Sequence, residues 1–358
     1  MSESEINDIR SVGEFKGISF SKFKKTDVKK ELLNSLANSK IEPACYWSAE
    51  LICSGHYGDL WETILYFYSK HIHLGNPRIA VYLELRINHF KEVVNNGYSD
   101  NELRMRNNSK IRRLFCEIMC ILCDAKRKHS FDSVKIKKED FDIIQMRDKF
   151  KAPSNKYAEE IFLNEDPKEL FPAINEIAYS ISEEGKNIMN ACYWLEWIME
   201  FESICKAKRE KISCERRNFP QVNTKFQKEI IWIVWDLFLF ESKKRSKFIQ
   251  KTMDSLFSLF TLKYVTGYQK KRRNILYFAI SLLCENIISN DEIIRPSQQE
   301  IVSNILKKID SVYKQIKQNE ESPGTEYLFK DVKSSNLEKT IEKLETMNTF
   351  GENFIPRL

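Results

Sequence analysis

The chain has 358 residues, of which 42% are hydrophobic and 30% are charged. This length and composition allow two ordinary domains with their own cores and exclude general disorder. The formal net charge of +6 is a small excess over many charges of both signs, so the charge permits nucleic-acid binding without requiring it.

Glycine and proline are scarce, at 10 and 9 residues, which favours helices over turn-rich β structure and predicts an all-α fold. The longest apolar run, 230–240, contains Asp236 and is about half the roughly 20 residues that a membrane span needs. The first eight residues are acidic and polar and do not resemble a secretory signal. We therefore expect a protein that is neither membrane-embedded nor secreted. It would lie in the cytoplasm or nucleus, or in a virus factory or virion if it is viral.

Residues 1–25 lack a helical period and are predicted to form an N-terminal arm. Helical module 1 follows at 26–130. Its first helix should run from Thr26 to about Asn38, and its second should end near Gly55. A third helix should follow Gly58, a fourth should span 78 to about 95, and a fifth should be capped near Asn108.

Prolines at 153, 167 and 172 break any long helix after module 1, so 131–167 is predicted to be a connecting segment. Helical module 2 should occupy 168–290, with helices near 168–182, 187–205, 224–241, 244–264 and 269–289. Residues 291–358 should hold C-terminal helices near 296–317 and 336–347 and a tail.

The sequence Ala-Cys-Tyr-Trp occurs twice, at 44–47 and at 191–194, and each copy is followed by the same landmarks in the same order. A Trp-acidic pair heads an aromatic stretch, and an arginine pair then precedes an apolar helix. The pattern predicts two tandem, internally duplicated helical-bundle modules. The six tryptophans fall within the matching helices and are most simply core anchors.

We find little that indicates catalysis or a cofactor. Glycine-rich phosphate loops are absent from the sequence, which argues against nucleotide hydrolysis. Cys116, Cys120 and Cys123 form one stripe of a helix to which His129 could add a fourth zinc ligand, but such a stripe is more typical of a packed core. Cys214 is expected to be exposed beside arginines, without a histidine base in its module. We predict no catalytic residues, no metal, no cofactor and no small-molecule substrate.

Basic clusters remain as candidate contacts for an anion or a nucleic acid. Arginine pairs open two helices, where positive charge is locally unfavourable and an external anion would relieve it. Solvated surface and internal salt bridges are the alternatives. The candidate contacts are Arg112, Arg113, Lys126, Arg127, Lys128, Lys270, Lys271, Arg272 and Arg273.

Two resemblances accompany these residues. Residues 42–51, the Ser54-Gly55 turn and Leu74-Gly75-Asn76-Pro77-Arg78 resemble the helical C-terminal oligomerisation region of clamp-loader-like AAA+ ATPases, over roughly 30–125. The ATPase module itself is missing, so ATP hydrolysis is not implied. The whole chain is similar to uncharacterised helical proteins of large nucleocytoplasmic DNA viruses, through stretches such as 45–61, 71–77 and 191–194. That resemblance implies a setting and no activity.

Together these features predict a non-enzymatic assembly or adaptor protein, associated with a protein partner or with itself. DNA or RNA is a further candidate partner, in viral replication, transcription or packaging. One alternative is an internal structural component of a virion. Another is an enzyme whose site lies between the two modules.

Overall fold

A computed structural model describes residues 3–96, 101–287 and 292–321. Within these ranges the chain forms fourteen α-helices and no strand, which confirms the all-α prediction. None of the helices in these ranges has the length and apolar character to cross a bilayer.

Six helices precede the connecting segment. They are α1 (Lys25–Ala37), α2 (Ile41–Cys53), α3 (Tyr57–Phe67), α4 (Arg78–Asn95), α5 (Glu102–Asn107) and α6 (Ser109–Asp124). The short α5 was not predicted. A π-helical turn, Tyr68–Ile72, extends α3.

One further helix lies within the connecting segment and seven follow it. They are α7 (Ile143–Lys149), α8 (Phe171–Ile181), α9 (Ile188–Ala207), α10 (Ile231–Lys243), α11 (Lys247–Thr261), α12 (Tyr268–Lys271), α13 (Arg273–Cys284) and α14 (Pro296–Lys317). The helix expected near 336–347 and the tail lie outside the described residues.

We call α1–α6 the first half and α8–α13 the second half. Their helices make corresponding contacts: α1 packs on α2 and α3, as α8 packs on α9 and α10. Likewise α6 packs on α1, α2 and α4, as α13 packs on α8, α9 and α11. The repeated tetrapeptide also has the same local geometry. The rings of Tyr46 and Trp47 lie 5.1 Å apart at 82°, and those of Tyr193 and Trp194 lie 5.2 Å apart at 83°. These similarities are consistent with a duplication, which stays a prediction.

One continuous hydrophobic core runs through both halves. Of the six tryptophans predicted to be core anchors, Trp47 is only partly buried and packs against the core. The other five are buried in it: Trp61, Trp194, Trp197, Trp232 and Trp235. All nine cysteines are free and buried. The expectation that Cys214 is exposed is therefore wrong. Its thiol donates a 3.2 Å hydrogen bond to the carbonyl of Glu229, and burial raises the pKa of this thiol to about 12.

The two halves meet along a seam between α4 and α11, and α13 packs on the π-helical turn and on α3. Hydrogen bonds cross this seam as well as apolar contacts. Ser255 donates a 2.7 Å hydrogen bond to Glu84.

The N-terminal arm and α14 both pack on the first half. Ile6, Phe15 and Phe20 of the arm are fully buried, and α14 contacts α2 and α6. The two segments also contact each other, since Lys314 of α14 forms an ion pair with Glu3. Arg10 of the arm pairs with Glu321, just after α14, at 3.1 Å.

The connecting segment is fixed to the second half through a buried ion pair. Arg217 donates two 2.7 Å hydrogen bonds to Asp166, and both side chains are almost completely buried. The same guanidinium donates to the carbonyl of Ile161 at 2.9 Å. Arg217 lies at the end of a basic stretch, 206–217, between the last turn of α9 and α10, so this stretch has a structural role.

We expect Asp166→Ala to lower the free energy of unfolding by about 3 kcal/mol, because it removes the buried carboxylate that accepts two hydrogen bonds from Arg217. The partly exposed Asp236, at 3.2 Å, is then the remaining carboxylate partner of this guanidinium. Urea unfolding measures this change. The control is Glu160→Ala, a truncation of an exposed side chain in the same segment, which should change stability by less than about 0.5 kcal/mol. Equal stability of the two variants would mean that the ion pair does not hold the segment.

The turn after α3 is crowded and contains a buried histidine. A Cβ at Gly75 would lie 2.3 Å from the carbonyl oxygen of Lys126, so only glycine fits there. His73 has a positive φ of 48° and its ring lies 4.7 Å from that of Phe278. Burial lowers the pKa of His73 to about 4.

This pKa predicts that acid destabilises the fold. Below the unfolded-state pKa of about 6.5, the unfolded chain binds a proton that folded His73 does not bind, so the free energy of unfolding falls as the pH falls. The loss continues until about pH 4 and should reach about 2 kcal/mol at about pH 5.

Urea unfolding at about pH 7 and about pH 5 measures this loss. His73→Asn, which tolerates the positive φ, should show a smaller difference between the two pH values. His89→Asn, on the partly exposed side of α4, should keep the full difference. A pH dependence that is the same in both variants would show that His73 is not its source.

A candidate anion-binding cleft

Arg112 is buried and is held by protein groups. Its guanidinium donates to the carbonyls of Arg106 and Ser4, at 2.9 and 3.0 Å, and to the side-chain oxygen of Asn107 at 2.7 Å. The ring of Tyr313 in α14 lies 3.9 Å from its central carbon. Arg112 thus joins the arm, α5 and α14 to α6. We correct the expectation of an external phosphate here, because burial leaves no surface for one.

Arg272 is also buried, but it lies beside a cavity. It donates a 2.5 Å hydrogen bond to the carbonyl of Phe260 and another to the carboxylate of Glu62 in α3. Lys271 forms an ion pair with the same carboxylate at 3.3 Å. The negative charge that balances Lys271 and Arg272 at the start of α13 therefore comes from Glu62 of the protein itself.

The cations that flank Arg272 also have carboxylate partners. Arg273 lies 2.9 Å from Glu196, which accepts a 2.7 Å hydrogen bond from Tyr277. Burial raises the pKa of Glu196. Lys270 lies 3.5 Å from Glu200 on the protein surface.

In the basic cluster that follows α6, Lys126 to Lys128, the main contact is with the C-terminal end of α1. Arg127 donates to the carbonyls of Leu36 and Ala37, the last residues of that helix. Such a contact satisfies carbonyls that have no partner within the helix. Lys128 pairs with Glu285, whereas Lys126 is exposed, as is Arg113 in α6.

A cleft of about 310 Å³ opens at the seam between α3, α4 and the loop from α11 to α12. Its wall is aromatic, since the ring of Phe90 lies 5.4 Å from that of Tyr57 and 5.9 Å from that of Trp61. Cations surround this wall. The charged residues that line the cleft are Asp59, Glu62, Lys91, Lys263, Lys271 and Arg272.

Both carboxylates of the cleft are already paired. Asp59 pairs with Lys25 and Lys29, at 2.9 and 3.0 Å, and Glu62 pairs with the two cations described above. By contrast, Lys91 and Lys263 form no ion pair with any residue in the described ranges. The cleft therefore keeps positive charge that an incoming anion could neutralise.

Three buried polar atoms of the cleft residues have no hydrogen-bond partner within the described part of the chain. They are the hydroxyl of Tyr57, the indole nitrogen of Trp61 and the Nε of Arg272. Leaving such a group unsatisfied costs about 1–3 kcal/mol.

Two neighbouring cavities share lining residues with the cleft. One, of about 340 Å³, lies between α4 and α11 and shares Lys91 and Lys263. The other, of about 270 Å³, shares Glu62, Lys271 and Arg272. The three cavities form a row along the seam.

Of the nine predicted contacts, only Lys271 and Arg272 line the cleft. Lys91 and Lys263 were not predicted from the sequence, because neither lies in a cluster of neighbouring basic residues. Trp61 was placed among the core anchors, and the sequence gave no signal that Phe90 would lie beside this tryptophan.

Comparison with models of known protein families, with curated proteins and with solved structures finds no match for this chain.

Arg272→Gln should destabilise the protein by about 3 kcal/mol, because Glu62 and the carbonyl of Phe260 lose a buried partner. Lys270→Gln, at the exposed neighbouring position, should change stability by less than about 0.5 kcal/mol. Thermal unfolding compares the two. If Arg272→Gln is as stable as the control, the guanidinium is dispensable for folding and free to serve a ligand.

Proposed function

We propose that this protein is a non-enzymatic adaptor that binds single-stranded nucleic acid along the seam between its two halves. The observation that carries the proposal is the cleft, in which Lys91 and Lys263 accompany an aromatic wall. Binding of single strands without strong sequence preference combines a positive groove for the backbone with aromatic rings for the bases.

The size of the cleft favours a single strand over a duplex. Its volume of about 310 Å³ is at the lower end of small-ligand pockets, so it admits one base with part of its backbone. The neighbouring cavities would then take adjacent nucleotides. A duplex has its bases stacked and paired and cannot insert one into the cleft without opening.

The wider role rests on the resemblance to proteins of large DNA viruses. We propose that the protein acts in the cytoplasm or nucleus, during replication, transcription or packaging of such a genome. Its two halves offer more surface than the cleft uses, which fits a protein partner or self-association.

The test is fluorescence anisotropy of labelled single-stranded DNA of about 16 nucleotides, titrated with protein over a salt series. We expect binding that weakens as salt rises. The triple variant Lys91→Gln, Lys263→Gln, Lys271→Gln should bind at least about tenfold more weakly, and its salt slope should fall by about 2, since three phosphate contacts are lost.

The matched control is Lys110→Gln, Arg113→Gln, Lys126→Gln, which removes the same charge from exposed positions on and just after α6. If this control loses affinity and the cleft variant does not, binding occurs at the cations that sequence alone suggested. If wild-type protein binds neither single-stranded nor duplex probes, the proposal fails. Measuring the mass in solution in parallel would show whether a protein-only assembly should replace it.

A further inference from the structure

Three buried thiols meet in the first half of the molecule, away from the cleft. Cys45 lies on α2, and Cys116 and Cys120 lie one turn apart on α6, which packs against it. Their sulfur atoms all lie within 4.8 Å of one another, and those of Cys45 and Cys116 are 3.7 Å apart. Each residue is at most 1% exposed.

This group differs from the single-helix stripe of Cys116, Cys120 and Cys123 that the sequence indicated. Cys45 from the packed helix takes the place of Cys123, and His129 is elsewhere, with its ring nitrogen 3.1 Å from that of His71. The fold thus brings together ligands from two helices, which a single helix stripe does not provide.

The spacing suits a metal ion. A metal–sulfur bond of about 2.3 Å gives sulfur–sulfur distances of about 3.8 Å in a tetrahedral site and about 4.0 Å in a trigonal one. The sulfurs of Cys45 and Cys116 are 3.7 Å apart and all three sulfurs lie within 4.8 Å of one another, so the group is close to the size of either site. Small side-chain rotations would therefore bring all three sulfurs to bonding distance.

Metals bind the thiolate form of cysteine. A buried thiolate is costly unless a cation accompanies it, and a metal ion held by these three sulfurs would be that cation.

A route to these thiols exists. A cavity of about 580 Å³ between α2 and α14 is lined by Cys45 together with Tyr46, Trp47 and Ile309. Cys45 forms part of its inner wall, so a small ion entering this cavity would reach the first of the three sulfurs.

We propose that Cys45, Cys116 and Cys120 form a binding site for one thiophilic d10 metal ion, of the class that includes Cu⁺ and Zn²⁺. An all-sulfur set selects such soft ions over Mg²⁺ or Ca²⁺. Three sulfurs complete a trigonal site for Cu⁺, whereas Zn²⁺ would take a water as its fourth ligand.

The experiment titrates reduced, metal-free full-length protein with Cu⁺ against a chromophoric chelator, and separately with Zn²⁺ and Cd²⁺. For Cd²⁺ the sulfur-to-metal absorption reports thiolate binding. We expect one tight equivalent that also raises the unfolding temperature. Cys45→Ala and Cys116→Ala should each lose this equivalent, while the control Cys123→Ala, buried on the same helix, should retain it.

X-ray absorption of the wild-type complex keeps the test decisive if a variant fails to fold. A first shell of three sulfurs at about 2.3 Å supports the site. In the Cu⁺ complex, nitrogen or oxygen ligands in place of sulfur overturn it, as does the absence of a tight equivalent or equal loss in Cys123→Ala. In either of the last two cases the three thiols simply pack together in the core.

Discussion

A buried guanidinium carries a charge and several donors that must all be satisfied, and this constraint sets much of the tertiary structure. Arg112, Arg217 and Arg272 are each at least 96% buried, and each draws its partners from segments far apart in sequence. Removing any partner leaves a charge in a medium that solvates it poorly. These arginines fix where the arm, the connecting segment and the second half lie relative to the helices.

The same constraint explains which features could be read from the sequence. Hydrophobic periodicity and end signals gave the bounds of α4 and α14, which start after or at a proline. Local interactions decide such boundaries. Hydrophobic periodicity gave the wrong start for α10, which was predicted near residue 224, seven residues before its actual start at Ile231. Gln227 donates to the carbonyls of Phe219 and Val222, which keeps the chain in a turn until Ile231.

The candidate cleft was less predictable because its residues come from three separated stretches. Nothing near Lys91 indicates that Lys263 will lie in the same cleft, since that depends on how α4 packs against α11. The basic clusters were visible, but whether a cation faces solvent or an internal carboxylate is decided by tertiary packing. Arg272 illustrates this, because its partner Glu62 lies 210 positions earlier in the chain.

Because α14 returns to α2 and α6, the second half lies in the sequence between two parts of the chain that pack together. Asn76 reinforces this arrangement by donating a 3.0 Å hydrogen bond to the carbonyl of Glu292, just before α14. During synthesis the second half therefore leaves the ribosome before α14 does. The second half can complete its own packing first, and the apolar faces of α2 and α6 that α14 covers must wait for it.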